Sequence, residues 1–156
     1  MTVAERDNPG VVAPPPLLAL CAIAAGFAVE AAWPSALPAQ GARIVAGLAI
    51  FALGFALAGW AIFAFRRAGT GVETRKPSTT VVAAGPYRFS RNPIYLGMVL
   101  GIVGVGIAAG SAWVIAMLVP FLAVIRTGVI AREEAYLDAK FGEDYRRYRA
   151  GVRRWL

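Results

Sequence analysis

The chain reads as an all-α protein of about four membrane spans, and three observations predict this. Apolar residues fill 58% of the 156 positions, too large a share for a water-soluble core of this size. Residues 44–65 and 92–125 carry no charge, as segments crossing a bilayer require. Arginine and lysine, the source of the net charge of +7, crowd the stretches between and after those runs. That distribution marks a membrane surface rather than a nucleic-acid-binding face, so the expected partners are membrane lipids and no nucleic acid. The sequence sets no oligomeric state.

Residues 1–16 hold an acid-flanked Arg6 and a Pro14-Pro15-Pro16 run in place of the basic start of a cleavable signal, and are expected to form a flexible cytoplasmic tail. The first span, about 17–33, ends before Pro34 with Trp33 at interface depth. Its single charge, Glu30, either reaches the headgroups or serves a polar pocket. After a turn at 34–41, the second span, 44–65, is long enough at about 1.5 Å per residue to cross a hydrocarbon core of about 30 Å. Arg66, Arg67, Arg75, Lys76, Arg88 and Arg91, opposed by Glu73 alone, then make the following loop cytoplasmic.

The uncharged run 92–125 is too long for one span and too short for two joined by a long loop, which predicts a tight helical hairpin with spans at about 93–109 and 111–130. Its turn is expected at Ala109-Gly110-Ser111, and Pro120 should kink the returning helix. Gly97 and Gly101, then Gly106 and Gly110, recur at four-residue spacing, as close helix packing in lipid favours. None follows a strand, so a dinucleotide-binding reading fails. Beyond Arg126 the pattern turns amphipathic, with Glu134, Leu137, Phe141, Tyr145 and Tyr148 at helical spacing, and a C-terminal helix at about 131–149 is expected to lie across the cytoplasmic face. Residues 17–156 thus form one multi-pass transmembrane domain. Four spans with both termini inside leave only Arg43 among the basic residues on the far side.

Histidine is absent, which removes the usual general base, the usual zinc ligand and any Ser-His or Cys-His pair. Cys21 is alone, so neither a disulfide nor a thiol-rich metal site can form, and it is expected to be a small packed hydrophobe. The remaining reactive side chains fall in two places, the segment 79–95 and the run Arg132-Glu133-Glu134, and the hairpin returns the chain to the side it left. Both therefore lie on the cytoplasmic side. In the first, Gly85-Pro86 marks a turn, Tyr87 and Phe89 offer aromatic faces, Arg88 and Arg91 offer cationic forks, and Asn92-Pro93 opens the third span with a capping side chain and a proline at the first helical position. Taken alone, these residues fit a well-capped helix with interfacial arginines as well as they fit a site. The acid pair fits a solvated helix face as well as a partner for a cation.

The two segments GPYRFSRNPIYLG and REEAYLDAKFGEDYRRYRAGVRRWL together resemble the integral-membrane methyltransferases that include isoprenylcysteine carboxyl methyltransferase and the phospholipid N-methyltransferases. The resemblance covers 79–156, about half the chain. It implies transfer of a methyl group from S-adenosyl-L-methionine to a lipophilic acceptor, with the donor on the cytoplasmic side and the acceptor, an amino lipid or an isoprenoid-type thiol, amine or carboxylate, arriving from lipid. The residues it assigns to the donor are Thr79, Thr80, Val81, Val82, Tyr87, Asn92, Pro93, Ile94, Tyr95, Glu133 and Glu134. Phe141, Gly142, Tyr145 and Tyr148 match the family's closing helix, where packing is the expected role. Asn92 stands where the prenylcysteine branch has histidine, and Val129 where that branch has a substrate-side arginine, with Arg126 and Arg132 the nearest substitutes. Both departures favour an acceptor other than prenylcysteine. Glu133 and Glu134, with Arg126, are the candidate catalytic residues, and either acid is placed to take a proton from an amine acceptor. Two other readings are a reductase resembling the sterol reductases, whose chains are longer, and a lipid-binding membrane protein without activity.

Overall fold

The structure, a computed structural model, describes residues 8–35, 40–71 and 77–156. The first part of the expected tail and the loop residues Glu73, Arg75 and Lys76 lie outside the described residues. Five helices follow in order: α1 (Pro15–Ala32), α2 (Gln40–Arg67), α3 (Pro93–Ala109), α4 (Ala112–Phe141) and α5 (Glu143–Gly151), with a 3-10 turn at Gly85–Arg88 before α3. Three of them, α1, α2 and α4, are long and apolar enough to cross a membrane, while α3 is an apolar helix of 17 residues, the lower limit for a span. The protein is an integral membrane protein.

Apolar side chains cover the outer faces as well as the inner ones, as lipid solvation demands. Leu20, Val45, Phe55 and Val119 are 64%, 70%, 75% and 75% exposed. Cys21 faces outward too rather than packing inside.

The predicted hairpin forms where expected. Gly110 closes α3 at φ 76°, a left-handed conformation that glycine adopts without a Cβ penalty. Ser111 then starts α4, its hydroxyl accepting from the Val114 N–H. Pro120 has no N–H to give to the preceding turn, and regular α-helix is interrupted at Met117, between Ala112–Ala116 and Leu118–Val124. A second irregularity has no signature in the sequence: Ile125–Ile130 is a π-helical turn. Beyond it α4 runs on without a break through Ala131–Phe141, so the expected surface helix is an extension of α4 as far as Gly142. There φ reaches 52°, the chain bends, and α5 begins.

The glycines show how the helices approach. A Cβ at Gly54 would meet the Gly97 carbonyl at 2.6 Å, and one at Gly97 would meet the Gly54 carbonyl at 2.6 Å. Seven residues along each helix, a Cβ at Gly104 would meet the Phe51 nitrogen at 2.5 Å and the Gly47 carbonyl at 2.7 Å. This antiparallel α2–α3 seam repeats every seven residues, so it is the pair Gly97 and Gly104, with Gly47 and Gly54, that carries the close contact. Gly101 faces open space and Gly106 packs on Ile115 within the hairpin.

On the other side of the bundle α1 lies antiparallel to α4, and a Cβ at Gly26 would meet the Val114 backbone at 2.5 Å. The far end is tied by Glu30, which accepts from the hydroxyls of Ser35 at 2.6 Å and Ser111 at 2.5 Å, and by the Trp113 indole N–H donating to the Trp33 carbonyl at 2.8 Å. Glu30 is thus a latch between the first loop and the hairpin tip. The opposite ends of all four long helices gather at one pole of the bundle.

Candidate functional site

At that pole lies a cavity of about 530 Å³, within the range of sites that hold cofactor-sized molecules. Its walls differ in chemistry. Arg91, Asn92, Tyr95, Glu133, Glu134 and Tyr145 form a polar region, and Ala58 and Ile62 of α2, Ile94 and Met98 of α3, and Pro14, Pro15 and Pro16 form an apolar one.

The 3-10 turn brings Tyr87 into the wall. Gly85 takes φ 60°, and a Cβ there would press on the Trp60 indole nitrogen at 3.2 Å, so the turn sits directly on α2. Tyr87 is buried, stands edge-on to Phe65 with ring centroids 5.0 Å apart, and gives its carbonyl to the Tyr148 hydroxyl at 2.8 Å. That last bond fastens α5 over the turn. Burial pushes the phenols of Tyr87 and Tyr148 well above their ordinary range and raises that of Tyr145 as well, so at neutral pH they act as aromatic faces and hydroxyl donors, not as bases.

Pro93 occupies the first turn of α3 as expected, but Asn92 does not cap that helix with its side chain. Its amide instead donates to the Arg154 carbonyl at 2.9 Å, while the Arg91 N–H donates to the Arg153 carbonyl at 2.9 Å. The C-terminal residues therefore run beside 90–92 and accept from the Arg91 N–H and the Asn92 side-chain amide.

The two adjacent acids have different surroundings. Glu134 is 12% exposed and clamped by two arginines: Arg154 reaches its two oxygens at 3.1 and 2.6 Å, and Arg91 approaches at 3.1 Å. The bidentate partner Arg154 is itself held more firmly protonated by Glu134. Glu133 has no cation against it among the described residues and receives one hydrogen bond, from the Tyr95 hydroxyl at 2.7 Å. One carboxylate is neutralised in place and its neighbour, on the cavity wall, is not.

Of the sequence-predicted residues, Thr80, Val81, Val82, Tyr87, Asn92, Ile94, Tyr95, Glu133 and Glu134 line this cavity. Thr79 lies beside it, its N–H bonded to the Thr70 hydroxyl, in a shallower depression shared with Phe141 and Tyr148. Pro93 is fully buried beneath the wall. Arg126 is exposed and not among the lining residues. In an unbroken α-helix the seven residues from Arg126 to Glu133 would return the chain to nearly the same face. The π turn inserts about one residue of rotation, roughly 100°, between them. Arg132 is turned outward as well, donating to the Gly10 carbonyl at 2.7 Å.

Sequence reasoning missed the arginine clamp, the α2 residues and the N-terminal prolines, and gave Tyr145 and Tyr148 a packing role although both line the cavity. The clamp had a signal in Arg91, already noted as a fork, but its partnership with Arg154 needs the fold.

Fold and cavity together define a small polytopic membrane protein with a chamber, part polar and part apolar, at one pole of its helix bundle. A family model for phospholipid methyltransferases matches residues 42–144, and the chain belongs to that family of membrane methyltransferases. Among curated relatives, an uncharacterized protein of Haemophilus influenzae is 41% identical over 63 residues, 40% of this chain and 100% of the relative. The cobalt-zinc-cadmium resistance protein CzcN of Cupriavidus metallidurans is 35% identical over 68 residues, 44% of this chain and 32% of that protein. The nickel-cobalt-cadmium resistance protein NccN of Alcaligenes xylosoxydans xylosoxydans is 36% identical over 74 residues, 46% of this chain and 35% of that protein. The match thus spans about a third of each resistance protein's length. No solved structure matches the chain.

Proposed function

We propose that the chain transfers a methyl group from S-adenosyl-L-methionine to a lipophilic acceptor in this cavity, on the cytoplasmic side. The observation that carries the reading is the unequal pair of acids: a carboxylate without a cation, Glu133, stands on the wall of a chamber whose other side is apolar. The residues present suit the donor. Glu133 offers a carboxylate to a cation, Tyr87, Tyr145 and Tyr148 offer faces, and the buried Nε of Arg91, whose Nη1 stands against Glu134, has no hydrogen-bond acceptor, which suits it to a carboxylate. When bound, the sulfonium supplies an already activated methyl group, so alignment and exclusion of water are the main demands on the protein.

The side chains meet those demands without imidazole. Tyr95 fixes the orientation of Glu133 through its hydroxyl. Arg91 and Arg154 hold Glu134 and so set the register of the last turns of α4. Tyr148 draws α5 across the opening through the Tyr87 carbonyl and so shields the site from water. With an amine acceptor, Glu133 is the acid that can receive the departing proton, since Glu134 is occupied by its arginines. Arg66, Arg67 and Arg88 at the same pole support the cytoplasmic assignment. The test is transfer of labelled methyl from S-adenosyl-L-methionine into a total lipid extract by the purified protein, with identification of the labelled species. Absence of label in any lipid, from protein that is folded, overturns the proposal.

A further inference from the structure

The segment before α1 and the first two residues of that helix are placed against the site. Pro9, Pro14, Pro15 and Pro16 contribute to the wall of the chamber. Two bonds fasten the segment to α4: the Val12 N–H donates to the Gly128 carbonyl at 3.2 Å, and Arg132 donates to the Gly10 carbonyl at 2.7 Å. The first acceptor lies in the π turn, where the widened register loosens the carbonyl ladder. The strap packs closely on Gly128, where a Cβ would meet a Val12 methyl at 2.7 Å.

Three consecutive prolines fix φ and bring no N–H, so this part of the wall is stiff and offers a ligand no donor. The same chamber is lined by Ala58 and Ile62 of α2 and Met98 of α3. α1 packs on α3 and α4 while α2 packs on α3, and the strap lines the chamber together with residues of α2 and α3. A stiff, donor-free, apolar slot leading to an unneutralised carboxylate fits a hydrocarbon chain with a polar head at Glu133. The strap lies outside residues 42–144, the part shared with the family.

We propose that residues 9–16 form the acceptor-chain wall of the chamber and set the length and bulk of the hydrocarbon tail that the protein accepts. This rests on the methyl-transfer reading for the identity of the head group, but the tail slot is measurable without turnover. Two substitutions act on it in opposite directions. Pro14 has φ −59° and ψ 125°, which any residue can adopt, and its carbonyl still serves Leu17 and Leu18 after substitution. Pro14→Trp therefore fills the slot without disturbing the start of α1. Gly128→Leu pushes Val12 away and moves the strap outward.

The experiment measures displacement of dansyl-hexadecylamine from the full-length protein in dioleoylphosphatidylcholine nanodiscs by octylamine and by octadecylamine, with S-adenosylhomocysteine binding by calorimetry beside it. Shortening the slot by about two methylenes should weaken octadecylamine about tenfold in Pro14→Trp. Octylamine and S-adenosylhomocysteine should bind as in the unsubstituted protein. Gly128→Leu should shift preference toward a branched C18 amine over octadecylamine, and it supplies the answer if Pro14→Trp does not fold. Equal loss for short and long amines, or unchanged preference in both variants, overturns the proposal. Failure of the unsubstituted protein to bind S-adenosylhomocysteine would instead count against the donor reading, with the amine ratio still deciding the role of the strap.

Discussion

Replacing each acid of the pair by glutamine should separate structure from function between neighbouring residues. In Glu134→Gln the buried Arg91, 11% exposed, and the partly buried Arg154, 31% exposed, lose their common counter-charge. Removing one partner of a buried pair costs about 3–5 kcal/mol, and the partial exposure of Arg154 lowers that to about 2–3 kcal/mol here. In Glu133→Gln the amide oxygen still accepts from Tyr95, no cation is orphaned, and stability should change by less than about 1 kcal/mol. What Glu133→Gln removes is a charge-assisted contact available to a bound cation, worth about 1.5–3 kcal/mol, or roughly ten- to a hundredfold in affinity. Thermal unfolding in detergent reads the first effect, and calorimetry with S-adenosyl-L-methionine reads the second. The expected pattern is a destabilised Glu134→Gln and a stable Glu133→Gln that binds weakly. A stable Glu133→Gln that binds and transfers like the unsubstituted protein refutes the assignment, as does a Glu134→Gln that unfolds no earlier.

Three further outcomes follow from the geometry. Tyr87→Ala removes an aromatic wall and the edge contact with Phe65, and S-adenosylhomocysteine should bind about 1–3 kcal/mol more weakly by calorimetry, on the scale of stacking losses elsewhere; unchanged affinity would leave this turn a packing element. Gly97→Leu drives a side chain into the Gly54 carbonyl and should abolish folded protein on size-exclusion chromatography, whereas Gly101→Leu meets open space and should elute as the unsubstituted protein does. In a Cys21→Ser background, thiols at the exposed positions Ala68 and Ala150 should resist an impermeant reagent in intact cells while one at Ala42 reacts; labelling of either of the first two would reverse the orientation.

The spans were legible because hydrocarbon imposes a length and a composition that can be counted along the chain. The hairpin turn was legible for a similar reason: an uncharged run of that length leaves one place for Gly110 and Ser111 to act. The packing seam was only half legible. Four-residue glycine spacing suggested Gly101, but contact at a seven-residue period uses Gly104, and nothing in α3 alone tells which face α2 will meet. The polar wall was largely legible through motif resemblance, and Arg126 marks the limit. Its phase relative to Glu133 depends on a π turn whose residues, Ile125 to Ile130, look like any apolar helix in sequence. The N-terminal prolines misled in the other direction. Read locally they suggest a loose tail, yet residues 8–14 are held by two hydrogen bonds to α4, more than a hundred positions away.

The difference between the two acids has its origin far along the chain. Glu133 and Glu134 are adjacent on one helix, and no local propensity separates them. Arg154 separates them by arriving from beyond α5, after the chain has bent at Gly142, where φ is 52°. The Arg153 and Arg154 carbonyls then take the Arg91 N–H and the Asn92 amide, which holds Arg91 in place as the second cation on Glu134. Glu134 is spent on closing this ring, and Glu133 is left with only the Tyr95 hydroxyl. On this view Gly142 acts on the site without touching it. An alanine there would be strained in the left-handed region, would loosen α5 and the C-terminal clamp together, and would free Glu134 to compete with Glu133 for any cation that enters.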